Sequence, residues 1–345
     1  MPETLASLDH AVASSAEGPF PAGRPDTPVG ARIGSVALAV PDTVVTNAPI
    51  AERLGVDDNW IVSRMGVRER RVMQPDERLS DLAARAGRGA LERAGLDPAE
   101  LDLIVVGTMS QDELTPGAAP LVAHELGAPQ ASALDVGAAC TAFLGAVDLA
   151  AGHIEAGRSG NALVIGADVL HRWLDHDDKR TAGLFGDGAG AAVMTASEER
   201  SGIGPIAIHS DGSQAWTIYA DREEGVLHME GGDTYQQAVN RLSEVSLEAL
   251  ELAGLSLEDI DLFVYHQANK RILKAVRERL GAPPERMVDV IETYGNTSAG
   301  SIPIALVEAE ADGRLQEGSK VLLGAIGSGL VWGGGVVEWG GVGGG

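Results

Sequence analysis

The sequence predicts an α/β fold built from two similar halves. Segments with the apolar pattern of buried strands alternate along the chain with segments of helical periodicity, which is typical of layered α/β proteins. A stretch at residues 90–108 recurs at residues 249–267. Hydrophobic residues make up 44% of the 345-residue chain, which is enough for a sizeable core. We therefore expect one half over about residues 30–200 and the other over about 201–340.

The repeat is the strongest of these signals. ALERAGLDPAELDLIVVGT and ALELAGLSLEDIDLFVYHQ align without a gap at Ala, Leu, Glu, Ala, Gly, Leu, Asp, Leu and Val. Each copy has the pattern of a helix end with a glycine stop, a short acidic turn and then an apolar strand. Because the copies match both in residues and in the order of elements, they favour a duplicated α/β unit.

The individual elements follow in chain order. Apolar runs and helical periodicity predict strands at 34–40, 162–168, 261–266 and 320–326 and helices at 79–95, 141–157 and 269–281. The uncharged run 321–337 contains six glycines, so it is interpreted as buried strands joined by tight turns rather than as a membrane span. GDGAGAA (186–192) is assigned to a turn, because no helix follows it as a dinucleotide-binding loop requires.

Both ends of the chain are predicted to be flexible. Residues 1–29 form a lead-in that is rich in Pro and Gly towards its end, and residues 341–345 are a glycine-rich tail. Residues 1–15 lack the basic and apolar regions of a signal peptide, so a cytoplasmic location is expected.

Charge and cysteine content exclude several classes of protein. The chain has 26 basic and 50 acidic residues, which gives a net charge of −24. Such a balance argues against a nucleic-acid-binding protein and against docking on an anionic membrane. Cys140 is the single cysteine, so no internal disulfide framework or cysteine-rich metal site is expected.

Three residues could carry chemistry, although each also has a structural interpretation. Cys140 lies where an apolar segment leads into a helix, and a helix N-terminus stabilises a thiolate. His266 ends a predicted strand, which is where α/β proteins place their active groups. Asn296 lies in a tight loop before a helix. From position alone, a packed cysteine, a capping histidine and a turn asparagine remain open alternatives.

Six motifs, taken together, resemble one known family. They are DNWIVSRMGVRERR (58–71), GAACTAFLGAV (137–147), DKRTAGLFGDGAGAAV (178–193), YHQANKRI (265–272), YGNTSAGSIP (294–303) and GSGLVWGGGVV (327–337). They resemble the 3-oxoacyl-acyl carrier protein synthase III (ketoacyl synthase III) family over about residues 30–340. The resemblance implies a thiolase-like fold, in which two duplicated α/β halves form a five-layered αβαβα arrangement, and a homodimer.

The resemblance also implies a reaction. Cys140, His266 and Asn296 match a Cys–His–Asn triad. Cys140 would take an acyl group from an acyl-CoA starter, and malonyl-acyl carrier protein would then lose carbon dioxide and condense with it to a 3-oxoacyl product. Backbone N–H groups of Cys140 and Ser328 would form the oxyanion hole, although Ser328 stands where the family usually has Gly or Ala. Acyl-CoA is a substrate here, so no cofactor and no metal are expected.

Further positions match the family's substrate contacts. The expected CoA and substrate contacts are Trp60, Arg64, Arg180, Asn269 and Thr115, of which Thr115 replaces a bulky Phe of some members and suggests room for a longer or branched chain. The expected docking residues for the acidic carrier protein are Lys270, Arg271, Lys274 and Arg277. In the absence of the resemblance, a core Trp and solvated surface charges would be the simpler interpretations.

Other enzyme classes share some of these features and are considered as alternatives. A priming enzyme or acyltransferase of secondary metabolism that does not elongate is the main alternative within the fold. Thiolases need a second catalytic cysteine, and ketoacyl synthases I and II use two histidines. A papain-like hydrolase also has Cys, His and Asn in chain order, but its C-G-S-C-W signature is absent. A non-catalytic partner subunit would not need all three residues.

Overall fold

Buried strands and amphipathic helices form where the sequence predicts them. The computed structural model describes residues 30–198 and 201–340. The predicted flexible segments 1–29 and 341–345 lie outside these described residues. All seven predicted elements are present, with bounds shifted by up to four residues, as when the strand predicted at 34–40 begins at Gly30.

The described residues contain the following elements. The strands are β1 (Gly30–Ala39), β2 (Val44–Thr46), β3 (Glu69–Arg71), β4 (Leu103–Gly107), β5 (Ser132–Val136), β6 (Asn161–Asp168), β7 (Gly188–Ser197), β8 (Ala207–Ser210), β9 (Ile218–Ala220), β10 (Leu227–Met229), β11 (Leu262–Tyr265), β12 (Lys320–Gly327) and β13 (Val331–Glu338). The helices are α1 (Asn47–Leu54), α2 (Asp58–Met65), α3 (Leu79–Ala94), α4 (Ala118–Leu126), α5 (Ala142–Glu155), α6 (Gly231–Ala253), α7 (Lys270–Leu280), α8 (Ile291–Tyr294) and α9 (Ser301–Ala311).

Two sheets with matching topology dominate the fold. The first has the order β1-β7-β6-β4-β5 and the second has the order β8-β13-β12-β11. In each sheet the first three strands are antiparallel and the next pair is parallel. A single parallel bridge between Phe263 and Met287 stands in the second sheet where β5 stands in the first. The duplication predicted from the repeat is therefore visible in strand order and direction, whereas the division near residue 200 stays a prediction.

The helices complete five layers. Helices α3 and α4 cover the outer face of the first sheet, α5 and α9 lie between the sheets, and α6 and α7 cover the outer face of the second. Both faces of each sheet are buried, so successive residues of a strand enter different cores. Leu103 and Val105 of β4 pack in the central layer, whereas Ile104 and Val106 pack under α3. This arrangement confirms the five-layered thiolase-like fold.

The two copies of the repeat have the same local structure. The helix of each copy ends at a glycine in the left-handed region, Gly95 with φ 65° and Gly254 with φ 67°. A capping box follows in each, at Asp97 and at Ser256, and then β4 or β11 begins. The acidic turn predicted from the sequence is therefore a short 3₁₀ helix whose carboxylates cap its own start.

The turn assigned to GDGAGAA is wrong for residues 188–192. These residues begin β7, which is the second strand of the first sheet. The glycines serve packing instead, because a Cβ atom added at Gly190 would lie 2.7 Å from a carbon of Pro303 in α9. The small residues of β7 therefore let α9 approach the strand. This requirement depends on a contact that is distant in the sequence, so the local sequence pattern does not indicate it.

The run 321–337 forms β12 and β13 joined by a short turn, as predicted. Within the described ranges, no helix combines the length and apolar character that crossing a bilayer requires.

Candidate active site

Three loops bring Cys140, His266 and Asn296 to one place. Cys140 lies in the 3₁₀ turn Ala139–Thr141 that connects β5 to α5. His266 follows β11 directly. Asn296 precedes α9, and its loop is fixed because its backbone N–H donates to the Leu184 carbonyl at 2.9 Å while its carbonyl accepts from Gly186 N–H at 3.0 Å. The central helices α5 and α9 thus begin beside the residues that the sequence selects.

All three residues line one cavity of about 570 Å³. Its walls are largely apolar and include Leu184, Ile218 and Leu330, while charged residues stand at its entrance. An apolar cavity with a few convergent polar groups is the usual form of a small-molecule site.

The surroundings of Cys140 favour the neutral thiol. Burial raises the pKa of the Cys140 thiol to about 12. This direction is opposite to the stabilisation of a thiolate that the helix N-terminus predicts, because removal from water penalises the anion more strongly. The Ser298 hydroxyl donates a hydrogen bond to Cys140 Sγ at 3.3 Å, which favours the thiolate.

The end of β12 lies directly against Cys140. A Cβ atom added at Gly327 would be 2.6 Å from the backbone nitrogen of Cys140, which is closer than any real contact of this kind. Glycine is therefore required here by the close approach of two backbones. Ser328 follows at the cavity lining, and its hydroxyl donates to the Ile218 carbonyl at 2.5 Å.

His266 is also buried and neutral. It is 1% exposed, and burial lowers its pKa to about 3. Its Nδ1 atom lies 2.7 Å from the hydroxyl oxygen of Ser301, which fixes the ring orientation. A buried neutral imidazole is suited to hydrogen bonding with a substrate oxygen rather than to carrying a charge.

Asn296 is held at both ends of its amide. Its Oδ1 atom accepts from the Ser298 backbone N–H at 2.9 Å, and its Nδ2 atom donates to the Ala268 carbonyl at 3.3 Å. The second proton of Nδ2 remains for a ligand, because an amide nitrogen carries two donors. Asn296 can therefore hold the turn in place and also donate a hydrogen bond to a ligand.

Two residues near Cys140 were not selected from the sequence. Ser298 contacts Cys140, and Asp168 is a fully buried carboxylate behind it. Asp168 ends β6, so the rule that drew attention to His266 at a strand end also applies to it. Ser298 stands within the GNTSAG motif. Its neighbours there are also polar, turn-forming residues, so the sequence alone does not distinguish Ser298 from them.

The entrance combines aromatic and basic groups. The guanidinium of Arg64 lies 4.5 Å from the centre of the Trp60 ring, and both residues line the cavity. Asn269 caps α7 by accepting from Arg271 N–H at 2.9 Å, and its amide donates to the Arg64 carbonyl at 3.1 Å. Arg180 also lines this entrance. Four of the five residues predicted for substrate contact therefore meet here, namely Trp60, Arg64, Arg180 and Asn269.

The guanidinium of Arg180 is already paired with carboxylates, which the sequence does not indicate. It forms ion pairs with Asp178 at 3.1 Å and with Glu230 at 3.4 Å. Lys179 lines the same entrance and was not selected from the sequence. Thr115 lies in an exposed loop and does not line the cavity within one chain, so its effect on the acyl pocket stays a prediction.

The four residues predicted for carrier-protein docking differ in their surroundings. Arg271 lines the cavity entrance and stacks 5.5 Å from the centre of the Tyr235 ring. Lys270 instead lies 3.5 Å from both Asp289 and Glu292. The remaining two, Lys274 and Arg277, both pair with Glu278. Arg271 is thus the member of the set that is best placed to meet a ligand.

Among the described residues, no cluster of His, Cys, Asp and Glu has the composition of a metal site.

Comparison with known proteins gives a consistent result. Residues 134–212 match the family model described as 3-Oxoacyl-[acyl-carrier-protein (ACP)] synthase III, and residues 250–339 match its C-terminal counterpart. The chain is 41% identical over 312 residues to the beta-ketoacyl-[acyl-carrier-protein] synthase III of Listeria innocua, which covers 90% of this chain and 100% of that protein. It is 42% identical over 308 residues to the enzyme of the same description from Sphingopyxis alaskensis, with coverage of 87% and 96%.

Solved structures agree. The 3-oxoacyl-[acyl-carrier-protein] synthase III of Aquifex aeolicus superposes with a TM-score of 0.87 at 39% identity, over 90% of this chain and 100% of that one. A priming beta-ketosynthase from a polyketide biosynthetic pathway superposes with a TM-score of 0.86 at 36% identity, over 90% and 96% of the two chains.

Proposed function

The chain belongs to the 3-oxoacyl-[acyl-carrier-protein] synthase III family, and from that membership we propose that it condenses an acyl-CoA starter with malonyl-acyl carrier protein. It is an acyltransferase of the condensing type. The convergence of Cys140, His266 and Asn296 on one apolar cavity is the observation that carries the proposal.

The first half-reaction is acyl transfer to Cys140. The thiolate attacks the thioester carbonyl of the starter, and the CoA thiolate leaves. The backbone N–H groups of Cys140 and Ser328 stabilise the negative oxygen of the tetrahedral intermediate. The close approach of Gly327 to Cys140 supports this assignment, because it brings the start of the turn after β12 beside the nucleophile.

The second half-reaction is decarboxylation and condensation. His266 and Asn296 donate hydrogen bonds to the malonyl thioester oxygen, which becomes enolate-like as carbon dioxide departs. For this step the neutral ring of His266 carries its proton on Nε2. Nδ1 is then the acceptor, and the Ser301 hydroxyl turns from the Ser298 carbonyl to donate to it. The resulting carbon nucleophile attacks the acyl-Cys140 thioester and releases the 3-oxoacyl product.

The entrance would bind the carriers of both substrates. Trp60 and Arg64 present a stacked aromatic and cationic surface that suits the nucleotide end of CoA. Lys179 and Arg180 add positive charge beside them, and Asn269 lines the same cavity. Arg271 provides a cation for an acidic carrier protein at the same opening, although the chain as a whole is strongly acidic.

A panel of acyl-CoAs tested with malonyl-acyl carrier protein checks the proposal. We expect acyl-Cys140 by intact-protein mass, followed by a 3-oxoacyl-carrier protein product. The variant Cys140→Ala should form neither. Acyl-enzyme without an elongated product for any starter would reject the condensation, and full activity of Cys140→Ala would reject the whole mechanism.

A priming role without elongation is a second candidate, favoured by the superposition on a priming beta-ketosynthase. Its signature would be transfer of the acyl group from Cys140 to a carrier protein with no gain of two carbons.

Assembly and location are further parts of the proposal. Strand β5 is the outer strand of the first sheet, and its residues are only partly buried. A free strand edge can pair with the same edge of a second copy, which supports a homodimer. Sedimentation of the purified protein at several concentrations tests this. A cytoplasmic location remains our proposal.

A further inference from the structure

Ser298 contacts all three triad residues. Its hydroxyl donates to Cys140 Sγ, its backbone N–H donates to Asn296 Oδ1, and its carbonyl hydrogen-bonds to His266 and to the Ser301 hydroxyl. Ser298 has φ of 50°, a left-handed conformation that is unusual for a residue other than glycine. Such a conformation persists only where its surroundings determine it, and it is concentrated at functional sites.

The same hydroxyl reaches a buried carboxylate. The Ser298 hydroxyl lies close enough to Asp168, which is 0% exposed, to affect the pKa of that carboxyl as a donor. The other donors to Asp168 are the hydroxyls of Thr108 and Ser110 and the backbone N–H groups of Met109 and Ala299, at 2.7–3.2 Å. These are all neutral groups, and no ion pair to Asp168 occurs in the described part of the chain. A buried carboxylate held in this way can exist both with and without its proton.

We propose that the Ser298 hydroxyl relays the proton of the Cys140 thiol to the Asp168 carboxylate when the nucleophile is acylated. The inference deepens the proposed function, because it rests on Cys140 as the nucleophile. A hydroxyl has one proton and two lone pairs, so Ser298 can accept from a thiol while it donates to a carboxylate. After the transfer it donates to the thiolate instead, across the same 3.3 Å contact between Ser298 Oγ and Cys140 Sγ.

The steps balance in protons and electron pairs. The S–H bond of Cys140 breaks and an O–H bond forms on Ser298, whose own proton forms the O–H bond of the Asp168 carboxylic acid. The electron pair left on sulfur forms the bond to the acyl carbon, and the CoA thiolate leaves and takes a proton from water. In the condensation step, sulfur leaves the acyl carbon, and the Asp168 proton returns to it through Ser298.

The relay avoids a charge penalty. One negative charge lies in the buried site before the transfer, on Asp168, and one lies there afterwards, on Cys140. Two anions never coexist, whereas the loss of the thiol proton to water would leave both groups charged. Burial is the main cause of the raised pKa of Cys140, and the negative charge of Asp168 raises this pKa further.

Other groups near the site are poor acceptors for this proton. Burial lowers the pKa of His266 to about 3, so its imidazole is a weak base for a thiol. Asp187 is the other buried carboxylate that interacts with Asp168, and burial raises its pKa to about 6. Both groups therefore keep one protonation state above pH 7.5, where a test of the relay can be made.

The pH dependence of acyl-enzyme formation tests the relay. With an internal acceptor, the rate measured by rapid quench and intact mass should be level between pH 7.5 and 9, because the proton stays in the site. In Ser298→Gly and in Asp168→Asn the proton must go to water. Their rates should fall about 10²- to 10⁴-fold at pH 7.5 and rise about tenfold per pH unit.

The variants are chosen to keep the backbone and the second half-reaction. Glycine tolerates the positive φ of Ser298, so the contacts to Asn296 and His266 survive. Malonyl decarboxylation should therefore stay near the wild-type rate in Ser298→Gly. Thr297→Val is the matched control, since Thr297 is the adjacent buried residue and its hydroxyl has no hydrogen-bond partner; it should keep the level profile.

Each result has one interpretation. A profile as level in both variants as in the wild type overturns the relay, whatever the change in rate. If Cys140→Ala abolishes acylation while Ser298→Gly acylates at the wild-type rate, the relay fails and the proposed function stands. If Cys140→Ala is still acylated and active, both fail.

Discussion

The floor and the entrance of the cavity are built on opposite principles. On the floor, His266 is 1% exposed, Asn296 is 4% exposed, and both are locked by hydrogen bonds to Ser298 and its neighbours. At the entrance, Arg64 and Arg271 are exposed and rest on one aromatic ring each. Preorganised donors in a dry site act on the transition state, whereas exposed charges attract ligands and are screened by salt.

The largest effect is expected from the floor. In the proposed mechanism His266→Ala removes a donor to the developing enolate, so the condensation rate should fall about 10²- to 10³-fold. Formation of acyl-Cys140 should continue, because that step does not need this donor. Parallel assays of acylation and of carbon dioxide release separate the two. An equal loss of both half-reactions would contradict the division of roles between Cys140 and His266.

A substitution at the close backbone contact between Gly327 and Cys140 should have the next largest effect on activity. Gly327→Ala places a methyl group 2.6 Å from the Cys140 nitrogen, so the loop must shift. Overpacking of this kind costs about 1–3 kcal/mol of folding free energy, and displacement of the nucleophile should lower the rate of acylation at least tenfold.

Gly152→Ala is the matched control for that change. Gly152 is in α5, and a Cβ atom added there meets nothing within 4 Å. It should leave the activity unchanged and raise the melting temperature slightly, because alanine stabilises a helix relative to glycine by about 0.5–1 kcal/mol. Equal behaviour of the two variants would mean that the approach of Gly327 is unimportant.

The contrast between floor and entrance also explains how far the sequence could predict the site. Cys140, His266 and Asn296 are the sole or distinctive chemical groups of specific motifs, and they do meet. Ser298 and Asp168 are common residue types whose importance depends on contacts between loops far apart in the chain. Strand β7 was misassigned for a similar reason: its glycines are explained by α9, more than 100 residues later.

The smallest effect is expected at the entrance. Arg64→Ala should raise the KM for acyl-CoA a few-fold with little change in kcat, because an exposed cation on an aromatic ring contributes about 0.5–1 kcal/mol. The difference should shrink as salt is added. Arg68→Ala is the control, since Arg68 is also exposed but pairs with Glu292 and does not line the cavity. A large drop in kcat for Arg64→Ala would contradict the distinction between the floor and the entrance of the cavity.

The hydrogen bonds that join Ser298 to the three triad residues have an evolutionary consequence. A change in any of the three loops disturbs the other two, so few substitutions on the floor can be tolerated. The side chains of the walls lie outside this network: those of Leu184, Ile218 and Leu330 contribute apolar surface from separate parts of the chain. Descendants of this protein can therefore diverge in the starter they accept by mutating the walls, while the reaction itself is inherited unchanged.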